Sequence, residues 1–219
     1  MRKIFKPALF VFGAYLISII VSCSSNDKTG PVLVLNGGQE FFLPLNQKYV
    51  EPGYIATDNV DGDVTKKVTI SKDSIKINKV GIYKKIYKVK DKQGNESATT
   101  RNIHVYNESN LLSGAYKGTL DYPYPGSQPT TYSDSISVSD TINNLIFFKN
   151  FAGVTGNKIS AKVAWRSLNG DTIAVASQTT NGIQFKSLPG ITSYVKSDKS
   201  ILIYYLRNST SGNFLLQPR

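Results

Sequence analysis

At 219 residues the chain is long enough for one large domain or two small ones, and a hydrophobic content of 40% excludes wholesale disorder. The formal net charge of +11 comes without an Arg-rich run or a nucleic-acid-binding motif, so nucleic acid is not an expected partner. The single cysteine excludes an intramolecular disulfide, and stability must come from packing.

Residues 1–22 read as an export signal. Arg2, Lys3 and Lys6 supply the positive start, and Ala8 to Val21 is almost entirely apolar. That run is shorter than the roughly 20 residues a membrane-spanning helix needs, and it fits a signal-peptide core. Ile20-Val21-Ser22-Cys23 resembles the lipobox of bacterial lipoproteins, which implies cleavage before Cys23 and acylation of that residue. Several acyl chains, each buried CH₂ contributing about 0.8 kcal/mol, make a firm anchor. Removal of the segment lowers the charge from +11 to +8 by the loss of Arg2, Lys3 and Lys6. Residues 23–30 then form the lipidated Cys23 and a polar tether. Ser24, not Asp, follows the cysteine, so an outer-membrane, lipid-anchored location is expected; the cell surface is the expected face, with the periplasmic face left open.

Residues 31–107 show short apolar runs broken by turn signals. Val32-Leu33-Val34-Leu35 ends at Asn36-Gly37-Gly38, and Tyr54-Ile55-Ala56-Thr57 follows Pro52-Gly53. Gly81 to Val89 is the clearest strand, with Tyr83, Tyr87 and Val89 on one face and Lys84, Lys88 and Lys90 on the other. Tyr49-Val50-Glu51-Pro52-Gly53, Ala56-Thr57-Asp58, Asp61-Gly62-Asp63, Val80-Gly81-Ile82-Tyr83 and Asp91-x-x-Gly94-Asn95 together resemble the bacterial Ig-like domain of surface and secreted proteins. The resemblance implies a β-sandwich serving as spacer or adhesive module. Lys85 departs from it, falling on the inward face, where its stem is expected to snorkel to an edge. Asp58, Asp61 and Asp63 are weak metal candidates. An EF-hand-type register on Gly62 puts Val68 at the twelfth position, where that loop needs a bidentate Glu, so an Asp-rich turn is the expected reading.

A polar hinge at Asn107–Asn110 precedes residues 111–219. Tyr116 to Tyr122 alternates as a strand, and Pro123 to Pro129 is a loop. Further strands are expected at Ser133–Val138, Asn144–Phe148, Lys158–Arg166, Asp171–Ser177, Gly182–Lys186, Thr192–Lys196 and Ser200–Leu206. The fold class is therefore all-β: an Ig-like sandwich, then an antiparallel β-barrel or second sandwich. Gly114-Ala115-Tyr116-Lys117-Gly118-Thr119 and Ile201-Leu202-Ile203-Tyr204-Tyr205 resemble the start and end of lipocalin-like barrels in Bacteroidetes lipoproteins. Asp73-Ser74-Ile75, Asp134-Ser135-Ile136, Asp140-Thr141-Ile142 and Asp171-Thr172-Ile173 resemble the Bacteroidetes O-glycosylation acceptor.

Aromatic side chains are the candidate ligand platforms, because flat rings stack on sugar faces. Trp165 shares a strand face with Ile159, Ala161 and Val163, which reads first as core and second as platform. Tyr122, Tyr124 and Tyr132 are expected in or beside an exposed loop. No enzyme is expected: the only histidine, His104, sits between Ile103 and Val105 on the outer face of a strand, and no nucleophile, metal cluster or phosphate loop accompanies it. Neither a metal nor a cofactor is expected. The expected function is non-catalytic binding of polysaccharide by the C-terminal domain, with the Ig-like unit as spacer. A protein partner in the envelope, for an adhesin or an accessory subunit, is the alternative.

Overall fold

The computed structural model describes residues 27–72, 75–121, 128–156, 158–167 and 170–219. The expected signal peptide, Cys23, Tyr122 and Tyr124 lie outside the described residues.

The N-terminal unit contains β1 (Val32–Leu35), β2 (Glu40–Pro44), β3 (Tyr54–Asp58), β4 (Gly62–Asp63), β5 (Thr69–Ile70), β6 (Gly81–Lys90) and β7 (Glu96–Tyr106). One sheet runs β1-β3-β4 and the other β2-β7-β6-β5, with β2 parallel to β7. This is the expected sandwich. Strand β6 alternates, burying Lys85, Tyr87 and Val89 and exposing Lys84, Ile86, Lys88 and Lys90.

Its core is divided. Leu43, Leu45, Ile103 and Val105 form one apolar cluster, and Ala56, Val64 and Val89 form another. Between them Lys85 on β6 pairs in register with Arg101 on β7. Two like charges facing each other across strands repel. Glu51 resolves the conflict. Arg101, fully buried, donates to Glu51 Oε1 at 2.7 Å and to the carbonyls of Asn36 at 2.7 Å and Gly53 at 3.4 Å. Lys85 Nζ lies 3.7 Å from Glu51 Oε2 and 5.0 Å over the Tyr49 ring. The Tyr87 and Tyr49 hydroxyls also donate to Glu51. The expectation that Lys85 snorkels to an edge is thus corrected: it stays inside because a carboxylate meets it there.

The C-terminal unit contains β8 (Gly114–Asp121), β9 (Thr130–Val138), β10 (Leu145–Phe148), β11 (Ile159–Ser167), β12 (Gly170–Val175), β13 (Gln178–Thr180), β14 (Ile183–Ser187), β15 (Ser193–Val195), β16 (Ile201–Arg207) and β17 (Thr210–Pro218). Eight of them close an antiparallel barrel in the order β8-β9-β10-β11-β12-β15-β16-β17, with β17 pairing back to β8. The β13–β14 hairpin extends from β16. Closure decides between barrel and sandwich, and it leaves β13 as the edge strand of this sheet.

Rings fill the barrel. Phe151, in a 3₁₀ turn spanning Phe151–Gly153, meets Phe148, Phe185, Tyr205 and Phe214 at centroid distances of 4.9–5.4 Å, mostly edge to face. Burying one such side chain contributes about 1.5–3 kcal/mol, and each ring pair adds about 0.5–1.5 kcal/mol. Gly118 is a packing requirement. A Cβ there would stand 2.3 Å from the Tyr132 ring, which crosses the strand at that point.

The expected hinge is also corrected. Glu108–Leu112 is a short 3₁₀ helix with Leu112 fully buried in the barrel core. The Asn107 side chain donates to the carbonyls of Ser139 and Ile142, and accepts from the amides of Ser109 and Asn144. Ser109 is the linker's own capped residue, and the other three partners lie between β9 and β10, so the linker is sewn to the β9–β10 loop.

Candidate ligand-binding site

The linker and that loop build a cleft of about 470 Å³, lined by Tyr106, Glu108, Leu111, Asn144, Trp165 and Asp171. Tyr106 ends β7 of the Ig-like unit, and Glu108 and Leu111 come from the 3₁₀ helix. Asn144 precedes β10, Trp165 lies near the end of β11, and Asp171 is the second residue of β12. The register of β11 against β12 shifts between Ala164 and Ser167, just where Trp165 sits. A bulge of this kind re-aims side chains at a barrel rim.

The polar groups of the cleft are held in place. Trp165 donates its indole N–H to Asn144 Oδ1 at 2.9 Å, and Ser109 donates to the same oxygen at 3.1 Å. Glu108 Oε2 accepts from Asn143 Nδ2 at 2.6 Å and Asn144 Nδ2 at 3.2 Å. Tyr106 and Leu111 are exposed, so the rim pairs an aromatic and an aliphatic surface with carboxylates. A face of this composition stacks apolar sugar faces and accepts hydrogen bonds from their hydroxyls.

Trp165 is half-buried against the barrel core, and it also lines the cleft. Tyr132 does not stand in an exposed loop. It lies in β9, its ring 6.3 Å from Phe214 and its hydroxyl buried without a hydrogen-bond partner. Burial, with the nearby Asp134 and Tyr205, raises that hydroxyl's pKa. The polar Thr-Thr-Tyr-Ser run masks an inward residue. Asp134 beside it is buried as well, and its Oδ1 accepts the amides of Ser135, Lys149 and Asn150.

His104 faces outward as expected, stacked on Phe42 at 4.8 Å and paired with Glu40. Of the acidic turn, Asp61 pairs with Lys67 at 3.2 Å and Lys92 at 3.3 Å, and Asp63 caps Thr65. Asp58 turns the other way. Tyr106, Glu108, Leu111 and Asn144 went unnoticed in the sequence. Glu108, Leu111 and Asn144 come from a linker and a loop, where no periodicity marks a side chain's direction, and Tyr106 is the last residue of β7.

Residues 33–105 match the family model described as "Bacterial surface protein, Ig-like domain", which covers a third of the chain. No curated protein matches the chain. Among solved structures, a lipoprotein from Bacteroides thetaiotaomicron is similar at 18% identity and a TM-score of 0.37, over 85% of this chain and 99% of its own. The CBM51-2 domain in complex with GlcNAc, with INT domains, from Clostridium perfringens ZmpB aligns at 18% identity and a TM-score of 0.31, over 85% of this chain and 43% of its own. Likeness at this level assigns neither a site nor a ligand.

Proposed function

We propose that this protein is a non-catalytic cell-envelope lipoprotein of a Bacteroidetes-type bacterium, anchored at the outer membrane through acylated Cys23 and binding polysaccharide with its C-terminal barrel. The Ig-like unit acts as a spacer between membrane and barrel. The observation that carries this reading is the Trp165 cleft, in which an oriented indole stands beside Glu108, Asn144 and Asp171. Two carboxylates in the cleft favour neutral, hydroxyl-rich glycans over uronic or sulfated ones, despite the basic charge of the chain as a whole. The filled barrel interior leaves the rim, not the axis, to meet a ligand.

A second reading rests on the Ig-like unit. Phe42 and Ile82 are 66% and 63% exposed and line a shallow groove of about 450 Å³ with His104 and Tyr106, a surface suited to a protein partner.

Affinity electrophoresis of residues 24–219 against a polysaccharide panel decides between them. Retardation by a neutral glycan, at least tenfold weaker in Trp165→Ala, is expected. Retardation that survives Trp165→Ala but is lost in a Tyr122→Ala/Tyr124→Ala variant would move the platform to the loop after β8. No retardation by any glycan would leave the groove at Phe42, to be sought by surface cross-linking. Palmitate labelling of cells, lost in Cys23→Ser, tests the anchor.

A further inference from the structure

Three carboxylates from distant parts of the chain converge at the N-terminal end of the Ig-like unit. Asp27 precedes β1, Asp58 ends β3, and Asp91 follows β6. One carboxylate oxygen from each lies within 4.8 Å of those of the other two. Asp91 is buried, and Asp58 is half-buried with its Oδ2 shut off from solvent.

The convergence is held by donors behind it. Asp58 Oδ1 accepts the amides of Val60 at 3.0 Å and Asp61 at 2.8 Å. Asp91 accepts the backbone amide of Asn95 at 2.8 Å and its side chain at 2.6 Å, and Asp27 Oδ1 accepts the amide of Thr29 at 3.0 Å. The outer oxygens are thus fixed, while Oδ2 of Asp58 and Oδ2 of Asp27 are both buried without any hydrogen-bond donor. A buried carboxylate oxygen without a donor is unfavourable, and three negative charges together make it more so. The basic side chains nearby do not relieve it, because Lys67 and Lys92 are both directed to Asp61. Something positive, small and coordinated by oxygen is what these groups fit.

We infer that Asp27, Asp58 and Asp91 form a divalent-cation site, with Ca²⁺ as its ion. Ca²⁺ takes oxygen ligands at about 2.3–2.6 Å, so three oxygens that lie within 4.8 Å of one another can share one ion. Mg²⁺ demands about 2.0–2.1 Å with near-ideal octahedral geometry and dehydrates reluctantly, so it is rarely held by the carboxylates of a protein alone. The ion ties Asp27 to the ends of β3 and β6, fixing the segment that leads into the sandwich. The neighbouring Asp61 and Asp63, which look equally ligand-like in the sequence, belong to an ion pair and a cap instead.

The test uses residues 24–219, stripped with EDTA, titrated with CaCl₂ and with MgCl₂ by calorimetry, and melted with and without each ion. Expected is one equivalent of Ca²⁺ with a Kd of roughly 10⁻⁵–10⁻³ M and markedly weaker Mg²⁺ binding. The melting transition of the Ig-like unit should rise by roughly 5–15 °C at 10 mM Ca²⁺ and fall back with EDTA. Asp58→Asn and Asp91→Asn should each weaken binding at least tenfold, and Asp61→Asn should leave it unchanged. Asp27→Asn lies ahead of the first strand, where it does not threaten folding. It should weaken Ca²⁺ binding while raising the ion-free melting temperature, since it relieves repulsion. No heat and no shift at 10 mM Ca²⁺, or binding that persists in Asp27→Asn and Asp58→Asn, would overturn the assignment. So would an ion-free melting temperature lowered by Asp27→Asn, which would mark a structural carboxylate.

Discussion

The two units solve the same packing problem with opposite chemistry. At the centre of the sandwich stand Arg101, Lys85 and Glu51 with two tyrosine hydroxyls, and the apolar residues are split into clusters on either side. At the centre of the barrel stand Phe148, Phe151, Phe185 and Phe214, joined in one cluster that reaches nearly every strand. Non-directional packing tolerates small shifts, whereas the Glu51 network functions only if β6, β7 and the Tyr49–Gly53 segment are all in register. The difference teaches that the small unit draws its uniqueness from hydrogen-bond geometry and the larger one from shape.

The largest effects should come from truncating the centre of each unit. Arg101→Ala leaves Lys85 facing a void and strips donors from Glu51 and from the carbonyls of Asn36 and Gly53; breaking a buried pair in this way costs about 3–5 kcal/mol. Phe151→Ala removes the ring on which four others converge, at about 3–5 kcal/mol. Trp165 is the only tryptophan and belongs to the barrel, so its emission reports that unit while calorimetry sees both. Arg101→Ala should lower only the calorimetric transition that Trp165 does not follow, and Phe151→Ala only the one it does. If either variant moved both transitions together, the Asn107 junction would couple the units into one cooperative body, and the contrast between them would lose its meaning.

These centres also mark where the sequence stopped being legible. Alternation placed β6 correctly because its lysines and apolar residues take turns, and the Ig-like motifs ordered the whole first unit. The same alternation placed Lys85 on the inward face yet could not supply its partner, since Glu51 lies on a separate segment reached only through the fold. Strand β17 escaped notice because Ser211-Gly212-Asn213 and Gln217-Pro218 break its apolar run, although it is the strand that closes the barrel. Phe151 escaped because a turn has no period, and the cleft escaped because it is assembled from a linker, a loop and a bulge. What periodicity encodes is the face of a strand; what it omits is everything held by a turn.

A subtler substitution sharpens the comparison. Arg101→Met keeps the buried stem and removes the charge, leaving Glu51 with Lys85 and the two hydroxyls. A cost of about 1–3 kcal/mol is expected, set by the Asn36 carbonyl, which loses the guanidinium, and by the Gly53 carbonyl, which keeps only the Asn36 amide. Chemical denaturation, followed by far-ultraviolet circular dichroism, measures it. A neutral or stabilising result would mean that the polar centre contributes specificity without net stability, as buried ion pairs replaced by apolar groups sometimes show.

The smallest expected effect is a difference in sign with pH. Burial works to raise the Glu51 carboxyl, but the hydroxyls of Tyr87 and Tyr49, the Arg101 guanidinium and the Gly53 amide outweigh it and hold the group below the ordinary carboxylate range. A carboxylate depressed in the folded state contributes stability above its ordinary value and loses it as the pH falls through the folded one. Asp134 in the barrel is the reverse case. Burial raises it, and the amides of Asn150, Ser135 and Lys149 only partly oppose this. Its contribution is fully present below the ordinary carboxylate value and is lost as the pH rises through the folded one. Acidification from neutral pH should therefore first raise the barrel transition reported by Trp165, and only below the ordinary carboxylate range lower that of the sandwich. Asp198, depressed by its bonds to Ser200, pulls the barrel the other way in strong acid, so the decisive measurement compares the wild type with Asp134→Asn. The initial rise should vanish in that variant while the acid loss of the sandwich persists. A rise that survives Asp134→Asn would mean that the carboxylate held by three amides is not the group the barrel protonates.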